Sequence, residues 1–370
     1  MEKSGLNLKE IKARNISSIL YLLNKKGEMS RKDIAFELGL TPAAVTKLCN
    51  ELLDEGLIGE SGEQIPDSAK AGRRKILLKL RLGEFYALCV NADVGKISVT
   101  AASLDGRAIY GESIKITEDT DKVLCLCESV IKNAGIEKEK YLCTSICVIG
   151  SVKKSEYGLW NNARLKEKAE QRLKLPVIFE NNIRAFALAE LIYGKKDYSR
   201  SVLFLKWGPG IGSAVMNNGE IINGSDGGVT EIGHYIVRRD GAKCRCGRYG
   251  CLETEVSAMA LEQKIGNGMT FDEIIGSTDE STVHTVEEKI DTVALALANT
   301  ATILNAKKII LFGTAFENDD ICEKLERQCK RYNKYTKGAV EKSRLNNKIS
   351  FIGAAALAAK HCFFEGHSQH

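Results

Sequence analysis

Three cysteines, Cys244, Cys246 and Cys251, fall within eight residues of the stretch EIGHYIVRRDGAKCRCGRYGCLE, and His234 lies just upstream. The spacing is His-x9-Cys-x-Cys-x4-Cys. One imidazole and three thiolates form a closed tetrahedral set for Zn2+, with no position left for a water nucleophile. Gly247 and Gly250 permit the tight backbone path that lets three sulfurs converge. Arg238, Arg239, Lys243, Arg245 and Arg248 supply positive charge against the thiolates. The other nine cysteines are scattered along the chain. A structural zinc is therefore expected, and it pins this loop whatever surrounds it.

Twelve cysteines without a secretion signal point to reduced thiols in the cytoplasm. The first residues, MEKSGLNLKEIKARN, lack the apolar core of a signal peptide. The uncharged run 292–306 is only fifteen residues and includes Asn and Thr, too short and too polar for a bilayer. At 370 residues, more than one domain is expected.

Residues 1–80 carry 14 Lys+Arg against 11 Asp+Glu, so charge alone does not mark a nucleic-acid binder and the pattern must decide. Ser30 is placed to cap a helix that Gly39 ends; Thr41 caps the next, with Pro42 at its first position and Gly56 closing it. Two short helices joined by a tight turn form a helix-turn-helix, and LIGE and KILLKL read as the strands of a wing. The second helix offers Thr41, Ala43, Ala44, Thr46 and Lys47 to a major groove. Arg73 and Arg74 follow a glycine in the wing and suit a narrow minor groove. The head is expected to be tied to the rest through residues 75–84.

From Glu84 onward, strands and helices alternate, which means α/β architecture. FYALCVNADVGKISVTAASLDGRAIY reads as two or three strands, YLCTSICVIGS as a buried strand, and LPVIFENN as a strand leading into the helix IRAFALAELIYG. SVLFLKWGPGIGSAVMNNGEII reads as strand, Gly-rich turn and strand, then an Asn-Gly hairpin turn. KKIILFGTAFEN adds a strand, and FIGAAALAAKH begins a closing helix.

SRKDIAFELGLTPAAVTKL, the DVG and LDG turns, ENNIRAFALAE, GPGIGS, EIGH, CRCGRYGCLE and the terminal GAAALA together resemble the ROK family of sugar kinases and sugar-responsive repressors. Within that family, the chain is similar to the members of xylose- and N-acetylglucosamine-repressor type, which carry a winged helix-turn-helix. The likeness runs from about Leu8 to about Ala359. It implies a winged helix-turn-helix at 1–80 and two actin-like (ribonuclease H-like) lobes. The first lobe spans 81–199 and is completed by 349–370; the second spans 200–348.

The resemblance also implies site residues. Asn181, Glu231, His234 and Glu253 stand at the family's sugar contacts, and a rigid metal site suits a carboxylate that must hold sugar hydroxyls. Asn182 stands where family kinases have the aspartate that takes the hydroxyl proton; an amide does not accept it. The phosphate turns also depart. Asp93 and Gly95 are kept, but Lys96 and Ile97 replace the usual Gly and Thr. Gly208, Gly210 and Gly212 are kept around Pro209, which removes a hydroxyl and an N–H, and Thr314 follows Gly313. The expectation is a transcriptional regulator, a repressor, that senses a sugar or sugar phosphate without phosphorylating it. It would bind double-stranded operator DNA as a homodimer or dimer of dimers. The competing readings are a sugar kinase with a DNA-binding head, and a DNA-binding regulator controlled by a protein partner.

Overall fold

The computed structural model describes residues 7–64, 75–93, 95–150, 162–194, 198, 200–223, 230–265, 268–332 and 339–366. Helix α1 (Leu8–Lys26) is closed at its start by a reciprocal Asn7–Glu10 capping box. The short strand β1 (Met29–Ser30) enters α2 (Arg31–Leu38), which Ser30 caps by accepting from the Asp33 N–H. Gly39 ends α2 with φ 63°, the left-handed stop that a glycine adopts without penalty. Thr41 caps α3 (Pro42–Asp54), with Pro42 in the first turn as expected. Strands β2 (Ile58–Gln64) and β3 (Lys75–Leu80) pair antiparallel, and β1 lies on the other edge of β3. This is a winged helix-turn-helix with a third small strand sealing the wing.

The body contains two five-stranded sheets. The first is built from β4 (Tyr86–Asp93), β5 (Lys96–Ser103), β6 (Arg107–Lys115), α4 (Thr120–Asn133), β7 (Tyr141–Val148), α5 (Asn162–Leu173) and β8 (Val177–Asn181). Helix α6 (Asn182–Tyr193) leads to the second: β9 (Val202–Trp207), β10 (Ile211–Asn217) and β11 (Glu220–Ile221). A two-residue turn joins β10 to β11, with Asn218 and Gly219 both at positive φ (52° and 78°). The cysteine-rich loop follows, then α7 (Leu252–Val256), α8 (Ala258–Ile265), α9 (Phe271–Ile275) and α10 (Glu280–Leu304). The chain closes with β12 (Lys308–Phe312), α11 (Asp319–Tyr332), β13 (Ala339–Lys342), α12 (Ile352–Ala358) and a π-helical turn, Ala359–Phe364.

The sheet orders are β6-β5-β4-β7-β8 and β11-β10-β9-β12-β13. Each is an antiparallel three-strand meander whose first strand also pairs, in parallel, with the fourth. The two lobes thus repeat one plan. The turn after β4 in the first lobe corresponds to the turn after β9 in the second.

Helix α6 is buried from Arg184 to Glu190 and again at Ile192. Its Phe186 stacks on Phe312 of the second sheet, with ring centroids 3.9 Å apart and planes inclined by 8°. Helix α12, IGAAALA, packs on α6 and on β7 and β4. Its small side chains make this close approach possible: a Cβ on Gly353 would lie 3.0 Å from the Ala185 backbone.

The head is held by more than residues 75–84. Tyr21 of α1 stacks on Phe364 with centroids 4.6 Å apart, and the Asn24 side-chain amide donates to the Ile192 carbonyl at 2.9 Å. The apolar face of α1 that α2 and α3 leave open is covered by the C-terminal turn. One continuous core accordingly runs from Leu20 and Leu52 through Phe186 and Phe363 to Phe312.

Candidate metal centre and ligand cleft

His234 ends a 3-10 turn, Ile232–His234, whose approach to β10 is close: a Cβ on Gly233 would meet the Ile211 carbonyl at 2.5 Å. The chain then folds back on itself. Val237 N–H donates to the Gly250 carbonyl, Gly250 N–H to Ala242, and Cys244 N–H to Arg248. Gly247 (φ 86°) and Gly250 (φ 66°) make the left-handed reversals, and a Cβ at 250 would overlap the Arg238 carbonyl. Both glycines therefore have the role that their positions in the sequence suggest.

This path brings ligand atoms of His234, Cys244, Cys246 and Cys251 within 4.8 Å of one another. Cys244 Sγ lies 3.5 Å from His234 Nδ1, and Cys246 Sγ lies 3.6 Å from Cys251 Sγ. A disulfide holds its sulfurs at about 2.05 Å, whereas a tetrahedron with bonds of about 2.3 Å has an edge of about 3.8 Å. The separations thus fit four ligands of one ion. Burial of Cys246 raises its thiol, but hydrogen bonds from the backbone and side chain of Arg248 more than offset this and bring it to about 6. Burial instead raises the thiols of Cys244 and Cys251, so a bound cation would have to displace their protons.

Cys251 is also the N-cap of α7, so the metal loop sets the position of Glu253 in the first turn of that helix. Glu253 Oε1 pairs with Arg245 Nη2 at 3.3 Å and lies 3.2 Å from where a Cβ on Gly210 would sit. Glu253 therefore faces the Gly-rich turn. Glu231 precedes the 3-10 turn and accepts the His234 N–H through its carbonyl.

Asn181 and Asn182 form the junction between β8 and α6 in the first lobe. Asn181 caps α6: its Oδ1 accepts the N–H groups of Ile183 and Arg184, and its Nδ2 donates to the Gly150 carbonyl at 2.8 Å. Asn182 Nδ2 donates to the Ala92 carbonyl at 3.4 Å. Ile183 lies against Gly212, where a Cβ would come within 2.3 Å of Ile183 Cδ1.

The other glycines of the phosphate-type turns also have protein neighbours. A Cβ on Gly208 would meet Thr314 Oγ1 at 2.7 Å, and one on Gly313 (φ 114°) would meet the Trp207 carbonyl at 2.3 Å. Gly95 (φ 81°) turns β4 into β5 with open space around it. The principal feature the sequence reading missed is Lys206. Its Nζ reaches Asp93 Oδ2 at 2.6 Å across the cleft, and it is 8% exposed. The signal was present in VLFLKWG: a lysine inside a buried strand requires a buried partner.

On the head, Thr41, Ala43, Thr46 and Lys47 are all exposed at the start of α3. Thr46 Oγ1 donates back to the Pro42 carbonyl at 2.8 Å. Asn50, one turn further on, is exposed on the same face and accepts from Arg31 at 3.3 Å; the sequence reading did not single it out. Arg73 and Arg74 lie outside the described residues.

Residues 14–58 match the winged helix-turn-helix DNA-binding family. The DNA-binding transcriptional dual regulator NagC of Escherichia coli (strain K12) is 27% identical over 347 residues, covering 85% of this chain and 84% of that protein. The crystal structure of a ROK family transcriptional regulator, a homologue of the E. coli MLC protein, superimposes with a TM-score of 0.79 at 23% identity, covering 97% of this chain and 98% of that one. A ROK family glucokinase from Streptomyces griseus matches with a TM-score of 0.65 at 22% identity; it covers 74% of this chain but 99% of its own. Residues 87–361 match the ROK family over both sheets, the cysteine-rich loop and α12, and the chain belongs to that family.

Proposed function

We infer that the protein is a sugar-responsive DNA-binding transcriptional regulator, a repressor, whose body binds a sugar or sugar phosphate without phosphorylating it. The observation that carries this reading is the Lys206–Asp93 pair beside Asn182. Where a kinase needs a carboxylate base and an open phosphate turn, this chain has an amide and a carboxylate already neutralised by its own lysine. The nearby glycines are filled by Thr314, Trp207 and Ile183. Sugar-side groups are kept, which a regulator answering only to a protein partner would not require.

In this reading the head takes 1–80, the first lobe 81–199 with 349–370, and the second lobe 200–348. The sugar lies between Asn181 and Asn182 on one side and Glu231, His234 and Glu253 on the other. Zn2+ is held by His234 Nδ1 and the three thiolates. It has a structural role, fixing the imidazole and the first turn of α7 where hydroxyls dock. Thr41, Ala43, Thr46 and Lys47 of α3, with Arg73 and Arg74, meet operator DNA. A homodimer or dimer of dimers spaces the heads to match a two-fold operator. The sugar acts through α6, whose first residues touch it and whose Ile192 carbonyl holds Asn24 of the head. Among the described residues, no helix is long and apolar enough to cross a membrane. A cytoplasmic regulator is consistent with this.

The test is a titration of sugars and sugar phosphates against protein and labelled operator, in wild type and in Glu253→Ala. A cognate sugar should shift operator affinity roughly 5- to 150-fold in wild type and leave the variant unmoved. No shift with any sugar in wild type, or a normal shift in the variant, overturns the reading.

A further inference from the structure

The exposed face of α3 carries an amide, Asn50, in line with Thr46 and Lys47, which stand four and three residues before it. Val45, Leu48, Cys49 and Leu52 form the opposite, buried face. Thr46 already commits its hydroxyl proton to the Pro42 carbonyl at 2.8 Å. Beyond the first turn, Asn50 is therefore the neutral donor of this face. Its amide is not indifferent to which way it turns. Arg31, the first residue of α2, donates from Nη2 to Asn50 Oδ1 at 3.3 Å. A guanidinium has donors only, so the amide atom that faces it is the oxygen. Arg31 is itself held in the head: its Nε is buried, and its Nη2 lies 3.9 Å from Glu60 Oε1 on the wing strand β2. Helix α2 and the wing together thus fix the side on which Asn50 keeps its oxygen, and the N–H groups of Nδ2 take the other side.

We propose that Asn50 reads a guanine in the operator through Nδ2, and that Arg31 is the positioning residue that turns it away from adenine. This rests on the reading of α3 as the helix that meets operator DNA. An asparagine reads adenine with both amide atoms, Oδ1 on the N6 amino group and Nδ2 on N7. With Oδ1 held at Arg31, that fork does not form, and an N–H of Asn50 brought to adenine faces the N6 donor. Guanine offers two adjacent acceptors, N7 and O6, so the same N–H meets no donor there. Thymine offers O4 alone, beside a methyl group, and cytosine offers a donor. One hydrogen bond inside the head thereby narrows which base a side chain on its surface accepts.

The experiment is selection of bound sites by the full chain from a DNA duplex pool with a randomised core, in wild type and in Asn50→Ala, Asn50→Asp and Arg31→Ala. The position that Asn50 reads is the one whose base preference levels in Asn50→Ala while the others keep theirs. In wild type that position should be guanine, and a duplex with adenine there should bind about fivefold more weakly or worse. Asn50→Asp exchanges the donor for an acceptor and should move the preference to cytosine. Arg31→Ala releases Oδ1, and adenine should rise to match guanine at that position alone, which a general loss of head stability would not produce. Asn50 is exposed, so its two variants decide the matter if Arg31→Ala does not fold. The proposal is overturned if Asn50→Ala levels no position, if the position it levels is adenine in wild type, or if folded Arg31→Ala keeps the full preference for guanine. A wild-type chain that enriches no sequence at all overturns the operator-binding reading, and this proposal with it.

Discussion

Lys206 Nζ lies 2.6 Å from Asp93 Oδ2, joining the ends of β9 and β4, two strands that hold the same place in their respective sheets. Lys206 is nearly buried, while the Asp93 side chain is 27% exposed. Water therefore reaches one partner, and the pair is worth less than a fully buried one. Lys206→Met removes the cation that pairs with Asp93, with an expected loss of about 1–3 kcal/mol in urea unfolding. Equal stability of variant and wild type would remove the pair from the account of how the lobes are held.

In the proposed reading, adding a carboxylate at position 182 should not make the chain an enzyme. Asn182→Asp supplies a base, but Lys206 and Pro209 still occupy the phosphate side. A coupled assay for hexose-dependent ADP release should show no turnover in wild type or in Asn182→Asp. In the proposed reading, an amide in place of the base costs roughly 10²–10⁴ in rate. Turnover of an ordinary sugar kinase in wild type would restore the catalytic reading.

Protein purified without added metal should contain about one zinc per chain. The Cys244→Ser/Cys246→Ser double variant should contain almost none and should bind its sugar more weakly, because Glu253 and His234 lose their support. Elemental analysis checks the first statement and a sugar titration the second. Full zinc retention in the double variant refutes the ligand set.

Lys47→Ala should weaken operator binding and lower the slope of log affinity against log salt by about 1. Thr41→Ala removes the α3 cap and should cost the head about 1 kcal/mol. A salt titration and a melting curve separate the two effects. An unchanged salt slope would mean that Lys47 makes no phosphate contact.

Tyr21→Ala removes the stack on Phe364, worth about 0.5–1.5 kcal/mol beyond its buried area. Sugar affinity should stay at its wild-type value, while the response of operator binding to sugar diminishes. If the response is undiminished, the head does not take its instruction through this contact.

Local rules were legible in the sequence and long-range pairings were not. Ser30, Gly39, Thr41 and Pro42 fixed the head because a cap or a left-handed stop involves residues three or four apart. The metal ligands were legible for a similar reason, since the farthest of them is only a short loop away. Lys206 and Asp93 stand 113 residues apart, and Tyr21 and Glu365 stand 344 apart. No spacing rule connects such pairs. Lys206 announced that it needed a partner but not which one, and nothing in α1 indicated what its open face would cover. Arg184 read simply as one position in a buried helix.

The stack of Tyr21 on Phe364 also bears on how the protein is made. Within this sequence the head precedes both lobes, and its caps and turn are formed by residues up to Leu80. Its docking surface, Ala359–Phe364, is made only after the strands of both lobes. During translation, a folded DNA-binding unit therefore precedes the surface that aims it. A chain cut short before Ala359 would leave Tyr21 of α1 without the ring of Phe364 to stack on. The aim of the DNA-binding unit thus depends on a turn made long after the unit itself.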